Sequence, residues 1–144
     1  VQATRQISPK VIAAIGVNVP IALLHFVTGS HYKGPFPVFV NGYMLNVLIP
    51  FGFYFLLCLI EHRLVRHWFV RGILVFGAAS AVEIAQGFGV ALLGETFDPL
   101  DFVMYGVGVI LAVILDTAVL PRIFKRWTPE GETTAVEDNS RRAP

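Results

Sequence analysis

The chain has 144 residues, of which 55% are hydrophobic and only 15% charged, with a formal net charge of +1. A soluble domain of this length carries more charge to wet its surface. A nearly neutral chain with no basic, aromatic-interleaved stretch also lacks a nucleic-acid footprint. The length fits one domain, and the single cysteine, Cys58, forms no internal disulfide.

In chain order, residues 1–10 are a polar segment carrying Arg5 and Lys10, with no small-residue cleavage site behind them. A helix rises about 1.5 Å per residue, so a hydrocarbon core of roughly 30 Å needs about 20 apolar residues. Residues 11–29 make the first such span, with Asn18, Pro20 and His25 inside it. Gly34, Pro35 and Pro37 then close one helix and delay the next. The second span covers 38–60 and holds Asn46 and Pro50. Arg63 and Arg66 lead to the third, over 69–93, which carries Arg71, Ser80, Glu83 and Gln86. A short acidic loop with Glu95, Asp98 and Asp101 precedes the fourth span, 102–120, which carries Tyr105 and Asp116. Residues 122–144 are basic at first and then polar. Their last part, 128–144, buries too little to order itself, so it is expected to be a disordered tail unless a partner subunit holds it.

Backbone groups in hydrocarbon must be satisfied within the chain, which leaves helices or a closed barrel. These runs are too long and too uniformly apolar for barrel strands. The expected fold is therefore all-α: a four-helix transmembrane domain over 11–121. Eight basic residues flank the spans on one side and Lys33 alone lies on the other. The positive-inside bias then puts both termini in the cytoplasm of a bacterial inner-membrane protein. Trp68 and Trp127 fall at the cytoplasmic boundary, and Tyr32 and Tyr43 near the outer one, where aromatic rings favour the headgroup level.

Gly77, Ala81, Ala85 and Gly89 repeat at every fourth position. With Gly106 and Gly108 on the fourth span, they are expected to let helices pack closely inside the bundle, or to face another subunit. Glu83 lies near the midplane, about 15 Å below the outer end of its span. An acid there is costly and faces the bundle interior. Gln86 shares its helix face, three residues on. Asn46, His25, Tyr105, Asp98 and Asp101 fall toward the same outer half, so a polar pocket is expected there. Asp98 or Asp101 is also expected to cap the fourth span. Asp116 is expected to pair with Arg71 or Arg122 near the cytoplasmic boundary. No catalytic motif and no His or Cys metal spacing is present, so no catalytic residue, metal or cofactor is expected beyond a bound lipid.

Residues 71–120 resemble the VanZ-like family of small integral membrane proteins. Glu83-x-x-Gln86 matches the family's third span. Gly94, Phe97, Asp98 and Asp101 match its loop, and Tyr105-x-x-Gly108 sits where many members have Asn-x-x-Gly. The chain departs at Glu95, where members commonly have Arg, and at Tyr105 itself. The resemblance implies an envelope protein, since the family's named member is associated with glycopeptide-antibiotic resistance. Three functional expectations follow. One is a non-catalytic accessory subunit of a larger membrane complex, with a respiratory or photosynthetic assembly as a setting. Another is an envelope protein holding a lipid-linked or amphiphilic ligand in the outer-half pocket. The third is a small transporter or proton path using Glu83 and Asp116.

Overall fold

The computed structural model describes residues 7–29, 31–89, 97–124 and Trp127. All regular structure among them is helical. Helix α1 is Pro9–Thr28, α2 is Pro37–Gly42, α3 is Met44–Leu57, α4 is Arg63–Arg66, α5 is Trp68–Gly87 and α6 is Pro99–Ile114. A π-helical turn, Leu115–Val119, carries α6 into α7, Leu120–Ile123. Three stretches are long and apolar enough to cross a membrane: Pro9–Thr28, Trp68–Gly87 and Pro99–Ile123.

Local chemistry explains the ends. Ser8 caps α1 by accepting a hydrogen bond from the Lys10 amide, and Pro9 opens the helix where its missing N–H costs nothing. The His67 ring accepts from the Phe69 amide at 3.2 Å and so caps α5. Asp98 caps α6 ahead of Pro99, which starts the fourth long helix three residues earlier than hydropathy suggests. The third helix ends at Gly87, short of the expected residue 93. Gly89 adopts a positive φ of 82° there, a conformation only glycine enters freely. The second expected span is not one helix. It divides at Tyr43 into pieces of 6 and 14 residues, directly after Gly42, a poor helix former.

Helix α3 is the hub, packing on α6, α1 and α5. Polar contacts reveal the helix directions. At one end Tyr54 of α3, Arg71 of α5 and Asp116 of the π turn meet. At the other, Asn46 of α3 meets Asp101 of α6, and Tyr105 of α6 meets Glu83 of α5. Thus α3 and α6 run the same way and α5 runs against them. Helix α1 opposes α3, because Asn18 reaches Gly52 while His25 lies by Leu45. Helices α1, α3, α5 and α6 thus alternate in direction along the chain. The end with Arg63, Arg66 and Arg71 is called basic below, and the end with Asp98 and Asp101 acidic.

The best-buried apolar side chains gather toward the basic end, where Tyr54, Phe55, Cys58, Val75, Ala112, Leu120 and Trp127 form the core. Phe26, Val27, Phe53, Ile73, Ile110 and many other large apolar side chains lie exposed on the outside. Such a surface is costly in water and suits a helical bundle solvated by lipid.

The small residues divide into two sets. Gly108 lies so close to α3 that a side chain there would run into the Val47 carbonyl, and Gly72 lies against Val109. Those two glycines, with Gly52 under Asn18, allow tight internal packing. The expected ridge behaves differently: Gly77 and Ala81 turn outward, Ala85 is half-buried, and Gly89 lies in the exposed turn after α5. Gly106 touches only the edge of Phe76. Contrary to the expectation from spacing, the Gly77–Ala81 face does not pack inside the bundle.

Candidate ligand-binding site

Glu83 is 1% exposed near the acidic end of α5, where an ionisable group is expensive unless its oxygens find donors. The fold supplies them from α6. The Asp98 amide donates to Oε1 at 2.7 Å, and the Tyr105 hydroxyl donates to Oε2 at 3.1 Å. Asp98 also serves as the cap of α6, its Oδ1 accepting from the Leu100 amide at 2.9 Å. Its other oxygen accepts from the Tyr43 hydroxyl at 3.2 Å. Asp101, four residues before Tyr105 and so on the same helix face, accepts from Asn46 Nδ2 at 2.5 Å. Three helices thereby meet through side chains that hydrophobicity alone would never bring together.

Beside this network lies a cavity of about 360 Å³ between α2, α3, α5 and α6. Its lining is mixed: Asn41, Asn46, Glu83, Gln86, Asp101 and Tyr105 are polar, and Leu45, Ile49, Pro50, Ala79 and Val82 are apolar. Five of the residues expected at a polar pocket line it: Glu83, Gln86, Asn46, Tyr105 and Asp101. Asp98 stands behind the lining, reaching it through Glu83. His25 does not belong to the group. It lines a separate cavity of about 340 Å³ between α1 and α3, with Asn18 and Phe53. Asn18 itself is a tie between helices, donating to the carbonyls of Ala14 at 2.9 Å and Gly52 at 3.2 Å.

Two participants were not foreseen. Asn41 clasps the backbone of Tyr32 with both ends of its amide, at 3.0 and 2.9 Å, and so pins the preceding loop to α2 at the cavity edge. Tyr43, read from sequence as a headgroup-level aromatic, instead gives its hydroxyl to Asp98. The signal for Tyr43 was its place at the same end as the acidic loop. Gly94 and Glu95 of that loop lie outside the described residues, as does the tail 128–144. Among the described residues no three His, Cys, Asp or Glu side chains converge as metal ligands would.

At the basic end Asp116 forms a second buried polar node. Of its two expected partners it takes Arg71, whose Nη2 lies 2.5 Å from Oδ2. The Tyr54 hydroxyl donates to the same oxygen at 2.7 Å, and the Trp127 indole donates to Oδ1 at 3.0 Å and to the Asp116 carbonyl at 3.1 Å.

No protein-family profile, curated protein or solved structure matches the chain.

Proposed function

We propose that this chain is a VanZ-like, four-crossing inner-membrane protein that holds the head of an amphiphilic molecule in the acidic-end cavity. The observation that carries this is the mixed lining of the cavity. Carboxylates, amides and a phenol share with apolar aliphatic side chains the lining of one space able to hold a small head group and the start of its chain. The carboxylates favour a head rich in hydrogen-bond donors, such as an ammonium or a cluster of hydroxyls. The similarity of Glu83-x-x-Gln86, Asp98 and Asp101 to the family motif supports the same placement.

The fourth crossing is supported by α2 and α3 together. Their 6 and 14 residues flank one junction residue and cover a span's length. Alternating helix directions put Pro9 and Ile123 at the basic end, which the positive-inside bias assigns to the cytoplasm. The cavity then opens in the outer half of the bilayer.

The test is binding of a fluorescent alkylammonium probe, with an alkyl glycoside as competitor, to the chain in nanodiscs. Asp101→Asn is expected to weaken the alkylammonium at least ten-fold, about 1.4 kcal/mol. Binding unchanged in Asp101→Asn, or no binding by the unaltered chain, counts against the proposal.

The competing reading is a non-catalytic accessory subunit of a larger membrane complex. It draws on Gly77 and Ala81, small residues turned outward where another helix can approach. Purification in mild detergent separates the two: a chain that elutes alone favours the ligand-holding reading, and a stable assembly with other subunits favours the accessory one. A transport path has less support, because Glu83 and Asp116 sit in separate networks at opposite ends of the bundle.

A further inference from the structure

A second concavity, of about 480 Å³, lies on the outer face between α5 and α6, away from the acidic cavity. Its lining includes Trp68, Phe69, Phe76, Gly77, Gly106 and Ile110, and every residue in it is apolar or glycine. Glycine makes the space: nothing lies within 4 Å of where a Gly77 side chain would begin. The groove runs along α5 from Trp68 to Gly77, nine residues or roughly 14 Å of helix rise. That is about half of a hydrocarbon core of roughly 30 Å. A neighbouring transmembrane helix would press along the full thickness, whereas one acyl chain occupies one leaflet.

Exposed basic residues lie close in sequence to the groove's end at Trp68, and their charge selects among lipids. Trp68 sits at the basic end, two residues after Arg66 and five after Arg63, both exposed. Arg122 is exposed on α7 at the same end. Glu61 is the one acid in the linker between α3 and α5. That end of the groove also adjoins the start of the 20-residue α5, whose dipole is positive there. Each Arg near a bilayer surface attracts anionic lipid.

We propose that the α5–α6 groove seats one acyl chain of an anionic phospholipid of the basic-side leaflet, its phosphate held by Arg63 and Arg66. This site is distinct from the acidic-end cavity and rests only on the chain being membrane-embedded.

Native mass spectrometry of the full chain tests it, with phosphatidylglycerol and phosphatidylcholine of identical acyl chains offered at equal concentration. The unaltered chain is expected to retain phosphatidylglycerol at least ten-fold over phosphatidylcholine. Arg63→Gln with Arg66→Gln, both at exposed positions, reduces that preference to two-fold or less. Gly77→Leu fills the groove and lowers retention of both lipids ten-fold. Gly106→Leu does the same from the other wall and serves if Gly77→Leu does not fold. Equal retention of the two lipids by the unaltered chain overturns the proposal. So does full retention by a folded, filled variant, or a dimer that Gly77→Leu abolishes. Alkylammonium binding measured on the same variants keeps the two sites apart, since it should persist in all of them.

Discussion

Arg71 and Asp116 illustrate how single residues act in this bundle. Each is an expensive guest in an apolar span, and each is affordable only because the other is within reach. Tyr54 adds a hydroxyl to the shared oxygen, and the Arg71 guanidinium lies 5.1 Å from the Tyr54 ring centre. Arg71 also donates to the Arg66 carbonyl at 2.7 Å, which ties α5 to α4. Removing one partner leaves the other charge buried alone. Arg71→Met is therefore expected to destabilise the chain by about 3–5 kcal/mol. Asp116→Leu in the same background should restore much of the loss, because an apolar pair needs no solvation. Tyr54→Phe should cost only about 1 kcal/mol, since Arg71 still satisfies the carboxylate. Denaturation of the four proteins in mixed micelles reads these values. A double variant no more stable than Arg71→Met would mean that the pair is not the energetic unit.

At the scale of elements, glycine position decides which helices touch. Gly108 and Gly77 are equivalent by composition, and both belong to small-residue patterns. Only Gly108 faces another backbone. Gly108→Ala must push α6 from the Val47 carbonyl, and overpacking of that kind costs about 1–3 kcal/mol. Gly77→Ala enters open space and should change stability by about 0.5 kcal/mol or less. The midpoint of thermal unfolding in detergent ranks the two, and equal midpoints would contradict the close α3–α6 approach. The same scale explains the interrupted second span. Its apolar run is continuous, so hydropathy reads one helix, yet the break after Gly42 turns Tyr43 toward Asp98. The π-helical turn is a comparable case. Nothing in the run 115–119 announces it, but it sets Asp116 between Tyr54 and Trp127.

For the whole molecule, the topology proposed above can be tested directly. Lys33 and Arg63 should then lie on opposite sides of the membrane. In a Cys58→Ala background, a cysteine placed by Lys33→Cys should react with an impermeant maleimide applied to spheroplasts. One placed by Arg63→Cys should react only after the membrane is opened. The reverse pattern would invert the bundle and move the acidic cavity to the cytoplasmic leaflet.

Several features were legible in the residues alone because they depend on local quantities. The helical, membrane-suited class follows from run length and the need to satisfy backbone groups in hydrocarbon. Three of the spans follow from the same count. The shared face of Glu83 and Gln86 follows from helix spacing, and a carboxylate cap, Asp98 or Asp101, from the acidic start of the fourth span; the structure takes Asp98. The rest depended on which faces meet. Hydropathy could group Asn46, Glu83, Asp101 and Tyr105 by depth, but depth says nothing about azimuth. His25 has a suitable depth and faces a different cavity. The Gly77 stripe has the right spacing and points outward. Asp116 had two cations within reach in sequence, and the packing of α5 against α6 chose Arg71. Sequence determined the elements and their polar content, because spacing along one helix is set by its geometry. Tertiary structure decided partners and cavities, because these depend on the rotation and register of helices that meet only after folding.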